Sequence, residues 1–165
     1  MNCLFVRHGI AVQREEWEGT ERQRPLTNKG MVRTRQSGKG LLALRVTPTH
    51  ILSSPLTRAR QTAAILQALL QEKIPVHSTP ELEPSAPPHA ILALLGTLPP
   101  DGFMWCIGHE PHLSATAGLL LTGTSSRAFS FKKAGACLIQ IERVVRPGAG
   151  RLVWWLTPSQ LRALA

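Results

Sequence analysis

The sequence predicts an α/β fold in which a mostly parallel sheet carries helices on both faces and an antiparallel hairpin forms one edge. Short apolar runs stop abruptly at Arg7-His8-Gly9, Ser53-Ser54-Pro55 and Gly108-His109-Glu110. After each, directly or beyond a loop, comes a segment whose apolar residues recur at helical spacing. Near the end, residues 136–142 and 151–156 alternate or run apolar around Pro147-Gly148-Ala149-Gly150, the pattern of a hairpin.

Taken in order, residues 2–6 read as a buried strand and residues 11–26, rich in Glu and Arg, as a surface loop. Thr27 is placed to cap a helix over about 28–45. Residues 50–53 form a second strand, and Pro55 suits the first turn of a helix with Ala59, Ala63, Ile65, Leu66, Leu69 and Leu70 facing inward. The proline-broken stretch 74–88 leaves room for one short strand near 76–78 and an irregular loop, before a helix at about 88–96. Residues 103–107 form another buried strand, followed by an apolar helix that ends near Gly123.

A chain of 165 residues accommodates one domain, residues 1–165. No apolar run approaches the ~20 residues that cross a bilayer, so no membrane partner is expected. Arg7 interrupts what would be an export leader's apolar stretch, and Cys3, Cys106 and Cys137 are odd in number and set in apolar surroundings. Reduced thiols in a cytoplasmic protein follow as the expectation. The net charge of +9 lies mainly in residues 1–75, which carry 12 basic and 5 acidic residues. Such a surface serves phosphorylated ligands, nucleic acid or membrane headgroups alike.

Ligands of open α/β sheets bind at the carboxyl ends of the strands, where this reading places Arg7-His8, Ser53-Ser54 and Gly108-His109. Those residue types suit phosphoryl transfer. A neutral imidazole at His8 serves as the nucleophile, splitting one displacement into two easier ones. Arg7 and Arg58 disfavour the imidazolium and offer planar forks to phosphate oxygens, with His109 as a further donor. Gly9 lets the backbone pass close to a phosphate. Arg24 either lines the pocket rim or anchors its loop through a carboxylate. Arg60, two residues beyond Arg58 on a helix, points elsewhere. Glu83 is either a general acid of raised pKa or a solvated loop carboxylate.

Arg7-His8-Gly9, the long run Ser53-Ser54-Pro55-Leu56-Thr57-Arg58-Ala59-Arg60-Gln61-Thr62, and Gly108-His109 together resemble the histidine phosphatase superfamily. Arg24-Pro25-Leu26-Thr27, Pro80-Glu81-Leu82 and Trp155-Leu156-Thr157-Pro158 are similar to the small branch that holds the SixA-type phosphohistidine phosphatases. The resemblance spans nearly the whole chain. It implies a phosphoglycerate mutase-like fold, a phosphorylated His8, a phosphoryl group bound by Arg7, Arg58 and His109, and no metal or other cofactor. Ile10, where the family often has a polar residue, implies a more apolar pocket wall.

Rival chemistries fit less well. Cys137 and Arg143 have the C-x₅-R spacing of cysteine-dependent phosphatases, yet the residues between them alternate as a strand. Asp101 is the one aspartate and stands alone in a proline-rich turn, unlike an aspartyl nucleophile with metal ligands around it. Cys106, His109 and His112 recur every three residues, but the chain turns at Gly108 and parts their side chains. The expected protein is therefore a phosphatase acting on phosphohistidine in a partner protein, with small phosphorylated metabolites as the alternative substrates. A basic binding module without chemistry is the alternative of another class. Scarce aromatic residues argue against nucleic acid as the partner.

Overall fold

A computed structural model describes residues 1–126, 128–142 and 144–165. Among them, six strands form one sheet: β1 (Asn2–Arg7), β2 (His50–Ser53), β3 (Val76–Ser78), β4 (Phe103–Gly108), β5 (Ala136–Ile141) and β6 (Gly150–Leu156). Their order is β3-β2-β4-β1-β5-β6. The four strands from β3 to β1 run parallel, and β5 and β6 add antiparallel to the edge, as the hairpin pattern predicts.

Alternation along the strands divides the core in two. Cys3, Phe5, Met104, Cys106, Cys137 and Ile139 face α3 (Pro88–Leu95) and α4 (His112–Thr122), whose Ile91, Leu95, Leu113 and Ala117 complete that layer. Leu4, Val6, Ile51, Trp105 and Ile107 face the other way. There they meet α1 (Asn28–Ala43), α2 (Thr57–Gln67) and α5 (Pro158–Ala163) through Leu41, Ala59, Ala63, Leu66 and Leu161. This is the three-layer, mostly parallel α/β architecture expected from the sequence. No helix among the described residues is long and apolar enough to cross a membrane.

Thr27 caps α1, its hydroxyl accepting from Gly30 N–H at 2.9 Å. Four expectations need correction. First, α1 stops at Ala43, since Arg45 takes a left-handed φ of 55° that no helix continues through. Second, Pro55 precedes α2 without joining its first turn: Leu56 stays extended and the helix opens at Thr57, whose N–H donates to Arg22 O at 2.9 Å. Leu69 and Leu70 accordingly lie beyond its end. Third, the loop after β3 contains a 3-10 turn at Pro80–Leu82 that seats Leu82 in the core. Fourth, the segment after the hairpin, to which the sequence reading assigns no element, forms α5 (Pro158–Ala163), started by a capping box between Thr157 and Gln160 with Pro158 in its first turn.

α5 lies directly on α1, and a Cβ at Gly40 would collide with the Leu161 backbone carbonyl. Gly40→Ala should therefore lower stability by about 1–3 kcal/mol, although alanine is the better helix former. Urea unfolding checks this, and an unchanged or higher midpoint would refute the close approach.

Candidate active site

The register of the parallel strands builds the site. Arg7 pairs with Gly108 across β1 and β4, and Ser53 pairs with Ile107 across β2 and β4, so the three strands end level. The next residue of each continues the alignment: His8 N–H donates to Gly108 O at 3.0 Å and Ser54 N–H to Ile107 O at 3.0 Å. Beside them Ala134, at φ 63°, donates its N–H to both Arg7 O and His8 O at 3.1 Å. The end of β1 is thus clamped on both sides.

A cavity of about 350 Å³ opens above these ends. Arg7, His8, Arg24, Arg58 and His109 all line it, joined by Glu21, Glu110, Pro84 and Lys133. His8 and His109 stand with ring centroids 4.9 Å apart. Glu83 is not among the lining residues: its carboxylate accepts from Arg22 Nη1 at 3.2 Å, outside the cavity. Ile10 lines a neighbouring hollow instead of this one.

Hydrogen bonds define the His8 tautomer. Nδ1 lies 2.7 Å from Gly9 O, an acceptor only, so Nδ1 carries the proton. Arg58 Nε–H donates to Nε2 at 3.3 Å, which requires a lone pair there. Nε2 is therefore the unprotonated nitrogen. Burial is the main reason the ring stays neutral: it pushes the His8 pKa down to about 3 against an upward pull from the Gly9 carbonyl, and Arg58, Arg7 and Arg24 lower it further. The arginines, which sequence reasoning put first, rank behind burial.

His109 Nε2 lies 2.8 Å from Ser54 Oγ. That oxygen also accepts from Leu56 N–H at 3.3 Å, so Ser54 ties the His109 ring to the turn that precedes α2. Among the described residues, His109 Nδ1 and Arg7 Nε are buried without a hydrogen-bond partner. Burial lowers the His109 pKa to about 2, with His8 and Arg58 next in importance.

The long central motif becomes legible as one helix face. Arg58, Gln61 and Thr62 lie three and four residues apart on α2. Arg58 enters the cavity at 4% exposure, Gln61 Oε1 accepts from Leu26 N–H at 2.7 Å, and Thr62 Oγ1 accepts from Gly9 N–H at 3.0 Å. Arg60 is exposed on another face, as its spacing predicts. Gly9 serves packing: a Cβ there would collide with Thr34 Oγ1 on α1.

Sequence reasoning missed Glu21 and Glu110. Glu21 binds Arg24 through two bonds of 2.9 and 2.8 Å and Arg58 Nη2 at 3.0 Å. These arginines, Arg24 foremost, hold its carboxyl below the ordinary range. Arg24 therefore both lines the cavity and anchors its loop, also donating to Val12 O at 2.6 Å. Glu21 stands three residues before Arg24, a spacing that carries no chemical signal in an already charged loop. Glu110 follows the motif histidine directly, and accepts from Phe131 N–H at 3.0 Å and Ser114 Oγ at 2.5 Å.

Among the described residues no rival site assembles. Cys137 is buried in β5, with its thiol pushed up by burial, and Arg143 lies outside the described residues. Among the described residues, no cluster of three or more His, Cys, Asp or Glu is placed to hold a metal ion. Cys3 and Cys106 are likewise free and buried.

Comparison with known proteins identifies relatives of this sequence and this fold. Residues 3–84 match the sequence profile of the histidine phosphatase superfamily, branch 1. An uncharacterized protein of Picosynechococcus sp. is 37% identical over 137 residues, covering 82% of each chain. The structure of the protein histidine phosphatase SixA complexed with tungstate superposes with a TM-score of 0.84 at 25% identity, covering 98% of this chain and 99% of that one. The phosphoserine phosphatase of Entamoeba histolytica in complex with 3-phosphoglyceric acid shares the fold, with a TM-score of 0.70 at 15% identity over 97% and 98% of the two chains.

The buried histidines set the acid response of the fold. His112, at the start of α4, is also held low by burial, at about 4. Unfolded imidazoles titrate near ~6.5. Below that pH the unfolded chain takes up protons that native His8, His109 and His112 refuse, so stability is complete above it and falls as pH drops toward their folded values. Each contributes a slope of up to about 1.4 kcal/mol per pH unit. Urea midpoints should fall between pH 7.5 and 5, and less steeply in His112→Gln; a flat profile would contradict the buried neutral rings.

Proposed function

The chain belongs to the histidine phosphatase superfamily and is a phosphatase, and we propose that it dephosphorylates phosphohistidine on a partner protein through a covalent intermediate on His8. The His8 Nε2 lone pair attacks phosphorus, a new N–P bond forms, and the P–N bond of the substrate breaks. The departing imidazole keeps the electron pair and takes up its proton on either ring nitrogen. Water then displaces the phosphoryl group from Nε2, releasing inorganic phosphate and restoring the lone pair.

Arg7, Arg58 and His109 hold the phosphoryl oxygens in this reading. Of the buried nitrogens without a partner among the described residues, Arg7 Nε and His109 Nδ1 belong to residues that line the cavity, and such groups cost about 1–3 kcal/mol each when left unsatisfied. Arg58 exchanges its bond to Nε2 for one to phosphate when the nucleophile engages. No step calls on a metal.

The observation that carries the substrate class is the state of the carboxylates. Glu21 is held ionised by Arg24 and Arg58, Glu110 is committed to Phe131 N–H and Ser114, and Glu83 stands outside, paired with Arg22. Among the described residues the cavity thus offers no carboxylic acid placed to protonate an alkoxide. A phosphoramidate needs no such acid, since imidazole leaves more readily than an alkoxide. Small phosphate esters are the second reading, favoured by the shared fold of the Entamoeba histolytica phosphoserine phosphatase.

Hydrolysis of a phosphohistidine protein should survive excess chelator and leave an acid-labile phosphoenzyme on alkaline quenching, both lost in His8→Ala. Arg58→Ala should retain the fold and lose about 10²–10³ in rate. Aryl phosphates should react more slowly as their leaving groups become more basic, and alkyl phosphates hardly at all. Alkyl esters turned over as fast as phosphohistidine would transfer the assignment to a phosphomonoesterase. No turnover and no label on any substrate would favour a binding module.

A further inference from the structure

A second hollow, of about 430 Å³, adjoins the catalytic cavity and shares Arg7 and Lys133 with it as a common wall. Its other cations are Arg33 of α1, Lys132 just before β5 and Arg162 of α5, and its described lining includes no carboxylate. The surrounding elements repeat this bias. α1 carries Lys29, Arg33, Arg35 and Lys39 without one acidic residue, and neither residues 128–135 nor α5 has any.

The pairing state of these cations differs from that of the loop arginines. Arg14, Arg22, Arg24 and Arg58 each bind Glu21 or Glu83. Among the described residues, none of Arg7, Arg33, Lys132, Lys133 and Arg162 joins a salt bridge. Gathering like charges around one hollow whose described lining holds no carboxylate raises their mutual repulsion, which an acidic ligand relieves.

We propose that this hollow docks an acidic segment of the substrate protein, lying next in the chain or in space to the phosphorylated histidine. The proposal rests on the phosphohistidine reading above and adds a specificity surface to it. A ligand engaging both hollows must cross the Arg7–Lys133 wall, which a polypeptide continuing from the reacting residue does. Among the described residues no aromatic ring lines the hollow to stack a base, which favours a polypeptide over nucleic acid. Ile10 and Pro158 form an apolar part of the lining, suited to the aliphatic carbons of glutamate side chains.

The test combines Arg33→Gln, Lys132→Gln and Arg162→Gln, three substitutions outside the catalytic cavity. Two phosphohistidine peptides of equal length are compared, one flanked by Asp and Glu and the other by Ser and Gln, with an aryl phosphate as reference. Wild type should prefer the acidic peptide by about tenfold in kcat/KM, carried by KM, as expected for a few exposed charge pairs. The preference should vanish near ~1 M salt and in the triple variant, whose aryl phosphate activity stays within about twofold of wild type. Equal kcat/KM for the two peptides in wild type would overturn the docking surface and leave the chemistry intact.

If aryl phosphate is turned over and neither peptide is, the phosphohistidine reading fails by itself. The surface is then decided by fluorescence anisotropy with the unphosphorylated acidic peptide and a single-stranded oligonucleotide of equal charge. Binding of the peptide that weakens about tenfold in the triple variant supports an acidic polypeptide partner. No binding, or tighter binding of the oligonucleotide through the same residues, overturns it.

Discussion

The parallel pairing that sets Arg7 opposite Gly108 and Ser53 opposite Ile107 is the constraint on which the site depends. A shift of one residue would turn every side chain of β1 to the other face, exchanging Cys3 and Phe5 with Leu4 and Val6 between two filled layers. The apolar pattern therefore holds the register, and the register levels three strand ends. His8, Ser54 and His109 come together as a consequence of core packing, each one residue beyond the end of its strand.

Burial then determines the electrostatics. His8, Arg58 and His109 are exposed by 6%, 4% and 1%, too little for water to screen a charge on either ring. Both histidines stay neutral, while the arginines keep their charge through nearby carboxylates: Glu110 raises the pKa of Arg7, and Glu21 that of Arg58, against the lowering effect of burial. Arg7, Arg24, Arg58 and Lys133 line the cavity against Glu21 and Glu110, an excess of cations suited to an anionic phosphoryl group. At an effective dielectric of ~20, two unit charges 4 Å apart interact by about 4 kcal/mol. In the proposed reaction a bound phosphoryl group would relieve this repulsion as well as form hydrogen bonds.

Glu21 ties this chemistry to the loop that precedes α1. It holds Arg58 from the loop side while α2 holds it from the helix side, so the fork is kept in place before any ligand arrives. The same loop is fastened at Leu26 by Gln61 and at Val12 by Arg24. Preorganisation of this kind lowers the ordering cost of binding phosphate. It also holds the Glu21 carboxyl below the ordinary range, the feature on which the proposed preference for leaving groups that need little help from an acid rests.

Much of this was legible in the residues themselves. Strands and helices followed from apolar periodicity, because burial on one or two faces leaves a local signature; the strands at 50–53 and 76–78 match residue for residue. His8, Arg7, Arg58 and His109 were legible because glycine-bearing strand ends and a long motif mark them. Even the overlooked α5 had its signal in the Thr157-Pro158-Ser159-Gln160 capping box. What only the tertiary structure decided were contacts between residues distant in sequence: Glu21 against Arg58, Ser54 behind His109, Glu83 drawn away to Arg22, and the unpaired cations of α1, α5 and the segment before β5 gathered around one hollow. Periodicity records which way a side chain faces within its own element. The partner it meets there depends on how the elements pack, and that is a property of the whole fold.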